Sequence, residues 1–514
     1  MSLVGRTGWE ELWANLASAL ARPCVAVLLI AFGVALALGQ AQQPPSPQDV
    51  KAYQEAMGWF KKAEAMIGTS KENSEEQADL FRKALAIKPD FIEAHFNLGL
   101  IYINQKMLKE AADEFEEVRK LNPNFEANEE SIYQLLAMAD RELGRNDEAI
   151  AALQEGLLKQ PKNLRMLKAL AFLQVHGRDD TVALPTFQAI LEIDSKDEDA
   201  LLNLGILYQK LNRLDDAAQS YRSALELNPT DFNAHYNLAL LLMRQNKVAD
   251  AAREFQEADK ISPGNADVLE RLGDAYSFQD QLGKAAQAYQ AAAVKEPDRP
   301  LLLSKLAFAL ARLKRAPEAV VALERSVSLD PHSADAYYLL GDLYSELQRF
   351  DESVAAYNTS LKLDPKQKDV HYNLGTLYAE SKHYREARTE LKAAADLDPD
   401  YAAAWSNLAV VCEKLELDKE AIEANEKIVA LGKGQPANFF RLGILYAKAN
   451  MPDPAIANFS KAIQLEPDKY RQILREELKN VHSVLDSVRY KDAFIRLLTG
   501  GPPSGPTKNK SSHE

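Results

Sequence analysis

One spacing constrains this chain more than any other feature. Pro89 and Pro123 stand 34 residues apart, and from Pro229 the prolines Pro263, Pro297, Pro331, Pro365 and Pro399 keep that interval. The frame persists where proline is lost: Ser195 falls 34 residues before Pro229 and 34 after Pro161, and Lys433 lies midway between Pro399 and Pro467. One step, from Pro123 to Pro161, measures 38, which predicts about four inserted residues around Glu126 to Glu129. A period of 20–50 residues means supersecondary units stacked in a row, each too small to bury its own apolar faces. A chain of 514 residues is also past the length, roughly 250–300, at which single cores stop growing.

Other positions recur in phase with the prolines. One repeat shows them together as Leu201, Leu204, Gly205, Tyr208, Ala217, Tyr221, Ala224 and Pro229. The first group and the second form two apolar stripes at helical spacing, separated by the turn-prone Asn212-Arg213, so each repeat is a helical hairpin. Pro229 ends the second helix, because its ring and missing amide cannot continue it. The small Gly205, Ala217 and Ala224 predict close approach of neighbouring backbones, with leucines and tyrosines filling the remaining volume. The Leu-Gly pair with tyrosine three residues on returns at Leu98, Gly99, Tyr102; Leu272, Gly273, Tyr276; Leu340, Gly341, Tyr344; Leu374, Gly375, Tyr378; and Leu442, Gly443, Tyr446.

This arrangement resembles the tetratricopeptide repeat family, whose pattern is W-x2-L-G-x2-Y, then A-x3-F, then P. The resemblance implies an all-α, right-handed superhelical solenoid of tandem helix-turn-helix repeats. About eleven repeats run from Ile92 to Lys469, preceded by a degenerate one over residues 58–91 that keeps Phe81, Ala84 and Pro89. Residues 470–498 lose the frame but stay amphipathic, as a C-terminal capping helix would, and 499–514 have the Gly, Pro, Ser and Lys content of a disordered tail.

The N-terminal end reads differently. Val25 to Leu38 is an uninterrupted apolar run, the length of a signal-peptide core and short of the roughly 20 residues of a bilayer-spanning helix. Residues 42–57 begin as a polar, proline-rich linker, so residues 1–41 are expected to be a signal peptide cleaved after Gly39 or Ala41, or else a retained signal anchor. The chain is therefore expected to cross the inner membrane of a bacterium and to reside in the periplasm or outside, with membrane attachment only through that segment. Cys24 and Cys412 are too few for a disulfide framework. A formal charge of -14 offers no basic footprint for nucleic acid.

Chemistry is sparse. His95, His235 and His371 occupy the fourth position of their repeats, where others carry Leu201, Tyr337, Trp405 or Phe439, and read as packing variants spread too far apart for a metal site. No phosphate loop or nucleophile elbow is present, and paired carboxylates such as Asp215-Asp216 read as solvated surface. No enzyme activity, metal or cofactor is expected.

The resemblance implies that positions two, five, six, nine, twelve and thirteen of each first helix line a concave groove that takes a protein or peptide partner. At position six asparagine recurs as Asn97, Asn203, Asn237, Asn373 and Asn407. An amide carries donor and acceptor together, so such a row can pair with the backbone of an extended peptide, as in some peptide-binding members of the family. The alternative is that each amide bonds within its own solenoid. Position five supplies Phe96, Tyr236, Tyr338, Tyr372 and Phe440, and position nine adds apolar residues such as Phe308, which together make an apolar recognition surface. Asp267, Glu270, Asp274, Asp335, Asp342, Asp369 and Glu380 occupy groove positions of nearby repeats without enough cations to cancel them, which favours a basic ligand segment.

Overall fold

A computed structural model of the chain describes residues 47–127, 130–177, 180–479 and 495–499. The leader over residues 1–41, the C-terminal tail and most of the expected cap beyond Lys479 lie outside the described residues. Among those described, twenty-two helices from Ile92 to Leu465 pair into eleven hairpins, preceded by a hairpin of Pro47–Glu64 with Glu75–Ile87. The protein is an all-α repeat solenoid. The inserted residues near Glu126 form a two-residue antiparallel ribbon, Glu126 opposite Ser131 and Ala127 opposite Glu130.

The chain divides after Pro263 into two compact units. The first holds the hairpins from Pro47 to Ile261 and the second those from Ala266 to Leu465, followed by the helix Pro467–Lys479. Pro467 opens that last helix, where its lost amide leaves no bond unmade. Tyr470 and Leu474 are buried with Phe440 and Phe459 of the final hairpin.

Each hairpin is built by the same local chemistry. First helices commonly start on a side-chain cap, as where Asp197 accepts from Ala200 N and Asp231 from Ala234 N. They end in a left-handed residue, and these recur at the repeat interval: Asn212, Asn246, Asp280, Lys314, Gln348, Lys382, Glu416 and Asn450 all have φ near +60°. The amide after each of them reaches back to the carbonyl five residues earlier, as from Arg213 N to Tyr208 O at 2.8 Å and from Arg349 N to Tyr344 O at 2.8 Å. This is the Schellman closure, which satisfies the open carbonyls of the helix end and aims the chain into the second helix.

The packing corrects one expectation. Gly205 makes room for a side chain rather than for a neighbouring backbone: a Cβ there would lie 2.4 Å from the Tyr221 ring. The same relation holds between Gly273 and Tyr289, Gly341 and Tyr357, and Gly443 and Phe459. The second helix of each of these hairpins therefore inserts its aromatic ring onto the first helix at the glycine. Tyr221 and Phe459 are fully buried there.

Candidate partner-binding face

Within a unit, consecutive first helices lie side by side, and position six of one repeat braces on the preceding first helix. Lys305 Nζ sits 2.6 Å from Glu270 and 2.8 Å from Asp274. Asn373 Nδ2 donates to Asp342 Oδ1 at 2.9 Å, and Asn407 Nδ2 donates to Thr376 Oγ1 at 3.0 Å. The asparagines are thus largely engaged by their own solenoid. Asn97 and Asn203 turn their amides back to the carbonyls of Glu93 and Asp199, both at 2.8 Å. Asn237 differs: its residue is only 9% exposed, yet its amide makes no hydrogen bond to the described residues.

The aromatic residues divide as well. Phe96 and Phe440 belong to the core, Phe96 against Phe115 and Phe125, Phe440 against Phe459 and Tyr470, so the structure places them inside rather than on a binding surface. Tyr236, Tyr338 and Tyr372 are half-buried. Tyr236 stacks on Phe232, Tyr338 leans on Tyr357, and Tyr372 lies 5.1 Å from Tyr401 between ring centres.

The acidic stretch also needs correction. Asp267, Glu270 and Asp274 are neutralised largely by cations of the next repeat: Arg299 contacts Asp267 at 2.9 Å and Glu270 at 2.5 Å, and Lys305 bridges Glu270 and Asp274, while Arg271 of the same helix approaches Asp274 at 3.3 Å. The sequence separations, 29 to 35 residues, hid this pairing until the repeats were stacked. Asp335, Asp342 and Asp369 make no ion pair among the described residues. Asp342 accepts from Tyr357 Oη at 2.6 Å, and burial, reinforced by the charge of Asp369, raises its carboxyl above the usual range against the pull of its hydrogen bonds. Burial and then the neighbouring carboxylates push the Tyr338 hydroxyl up to about 12. Tyr338, Tyr357 and Tyr372 thus lie in repeats that also carry the unpaired carboxyls Asp335, Asp342 and Asp369, while Lys368 pairs with Asp398.

Two further residues escaped the sequence reading. Phe278 at position thirteen is 76% exposed and Leu301 at position two is 69% exposed, while Phe308, seven residues beyond Leu301 on the same helix face, is 48% exposed. Their signal was apolar character at positions the recurring frame leaves unpacked. Elsewhere, a cleft of about 330 Å³ in the first unit is lined by charges that pair with each other, Arg119 with Glu116 and Glu155 among them. Among the described residues no three His, Cys, Asp or Glu side chains gather as a metal site would need.

Comparison with proteins of curated function gives no match. Solved structures similar to parts of the chain include YrrB, a TPR protein with an unusual peptide-binding site, at 24% identity over 36% of this chain and 96% of that one, TM-score 0.34. MamA from Desulfovibrio magneticus RS-1 is 20% identical over 33% of this chain and 96% of its own, TM-score 0.32. Pseudomonas aeruginosa pilF is 20% identical over 41% and 98%, TM-score 0.35. A tetratricopeptide repeat model matches residues 135–198, 202–266, 270–334 and 372–436, which together make up half of the chain. Further models of the same repeat match 341–382 and 92–125. With hairpins of this spacing, closure and interior observed along the described chain, this protein belongs to the tetratricopeptide repeat family.

Proposed function

We propose that this protein is a non-enzymatic scaffold that binds an extended polypeptide segment across its first helices. The observation that carries this reading is the presence of Phe278, Leu301 and Phe308 in water at first-helix positions that packing does not use. Large apolar side chains beside fixed polar groups are the composition of a recognition surface. The anionic, tyrosine-rich surface around Asp335, Asp342 and Asp369 favours a segment with lysine or arginine next to its apolar anchors.

Photo-crosslinking of the full chain in a cell-envelope extract, followed by affinity measurement with the partner it captures, tests this. Leu301→Asp with Phe308→Ala is expected to weaken binding by about 2 kcal/mol or more, roughly thirtyfold, with helicity unchanged. Asn97→Ala, at an amide bonded to the Glu93 carbonyl, is expected to cost nothing measurable. Crosslinks confined to second helices, or affinity indifferent to the Leu301 and Phe308 changes, would sink the proposal.

Export is part of the same proposal, and its support is the apolar run from Val25 to Leu38. Among the described residues no helix is long and apolar enough to cross a membrane. A mature N-terminus at Gln40 or Gln42 is expected on Edman or mass-spectrometric sequencing. Recovery of intact Met1 with membranes would favour instead a tethered component that assembles an envelope complex.

A further inference from the structure

Three repeats set a histidine at one point with the same two partners. His95 Nδ1 lies 2.6 Å from Glu114 Oε2 and its Nε2 lies 2.8 Å from the Pro89 carbonyl. His235 repeats this with Glu254 at 2.7 Å and Pro229 at 3.1 Å, and His371 with Glu390 at 2.6 Å and Pro365 at 3.2 Å. A carboxylate and a peptide carbonyl offer acceptors only. A neutral imidazole has a single N–H, so it could satisfy one oxygen while turning a lone pair on the other. The imidazolium form donates to both.

The neighbouring repeats show that the pairing is specific. Trp405 fills the same position with one N–H and makes one of the two bonds, to the Pro399 carbonyl at 3.0 Å. Nineteen residues on, where the histidine repeats have glutamate, that repeat has Ala424. The remaining repeats carry Ser220, Ala288, Ala322, Ala356, Asn458, Ala152 or Thr186 there, and none has histidine at the fourth position. Histidine and glutamate occur together or not at all.

We propose that the triads of His95 with Glu114 and the Pro89 carbonyl and of His371 with Glu390 and the Pro365 carbonyl are pH-sensitive latches: each protonated histidine ties its first helix to the end of the preceding repeat and to its own second helix, and rising pH releases the tie. The proline carbonyl belongs to the end of the preceding repeat, and the glutamate to the second helix of the same hairpin. The charges facing His95 are Glu114 and Glu117, that facing His371 is Glu390, and that paired with His235 is Glu254. Burial by itself lowers the His95 value, but the bonds to Glu114 and Pro89 and the charge of Glu117 outweigh it, and the net direction is above 6.5. For His371 the Glu390 bond outweighs burial, with the same result. A histidine whose folded value exceeds its unfolded one stabilises fully below the unfolded value and loses that contribution as pH climbs through the folded one. Each pH unit between the two is worth a tenfold change in the closed-to-open ratio of that repeat.

The full chain labelled with ¹⁵N-histidine, assigned through His95→Gln, His235→Gln and His371→Gln, gives the test. The His95 and His371 rings are expected to titrate above the ordinary histidine range, and Glu390→Gln is expected to bring the His371 titration down. Hydrogen exchange of the unsubstituted chain supplies a readout that does not depend on any variant folding. After correction for intrinsic rates, exchange in Ile92–Asn104 and Lys368–Glu380 should rise about tenfold or more between pH 6 and pH 9, while Glu198–Lys210 and Ala402–Lys414 stay level. Rings of His95 and His371 that titrate at or below the ordinary histidine range, or exchange that rises equally in all four helices, would overturn the latch.

Discussion

Removing both cations from Glu270 is expected to cost about 3–5 kcal/mol, the effect of leaving a buried charge without a partner. The Glu270 side chain is 5% exposed, with one carboxylate oxygen on Arg299 and the other on Lys305. Arg299→Ala with Lys305→Ala leaves that carboxylate facing Asp274, whose own oxygens are occupied by Tyr289 and, in part, by Arg271. Urea unfolding followed by circular dichroism should show the loss. Replacing Glu270, Arg299 and Lys305 together by methionine should recover most of it, because well-packed apolar residues often match a buried ion network in stability. The two results separate a network that stabilises from one that merely tolerates its own charges. A double variant within about 1 kcal/mol of the parent would show that water reaches Glu270 despite its burial.

The periodicity made the repeat fold legible, because the 34-residue frame records where each helix must end. The recurring glycine and leucine positions likewise marked the interior. What the sequence concealed was contact across the repeat interval. Glu270 reads as an uncompensated acid until Arg299, 29 residues on, and Lys305, 35 residues on, are stacked beside it. Asn203 reads as a free amide until its i−4 carbonyl takes the donor, and Asn407 until Thr376 does. Phe96 and Phe440 share position five with half-buried tyrosines, yet each is drawn inward by a ring that follows its hairpin, Phe125 and Tyr470 respectively. Position in a repeat therefore indicates which face a side chain starts from, and the adjoining repeat decides whether it stays there. The histidines show the same limit: their spacing excluded a shared metal site, but the partner glutamate lies 19 residues away on another helix.

The second large effect lies at the glycine and ring inside hairpins such as that of Gly205 and Tyr221. Tyr221→Ala is expected to cost about 3–5 kcal/mol, since Gly205 opposite it has no side chain with which to fill the cavity. Gly205→Ala, tested alone, should cost about 1–3 kcal/mol through overpacking. Tyrosine makes this site less forgiving than phenylalanine does. The Tyr221 hydroxyl is held by Gln209 at 3.1 Å, Tyr289 by Asp274 at 2.8 Å and Tyr357 by Asp342 at 2.6 Å, so a ring pressed by a new methyl cannot slide without losing its bond. All three tyrosines at this position face glycine, whereas Ala239 faces Phe255 and Ala307 faces Leu323. Gly205→Ala with Tyr221→Leu reproduces the second of those pairs and should be more stable than the sum of the single changes by at least about 1 kcal/mol. Strict additivity in a urea double-mutant cycle would mean that residue volume at the first helix is set by the next repeat rather than by the ring of its own hairpin.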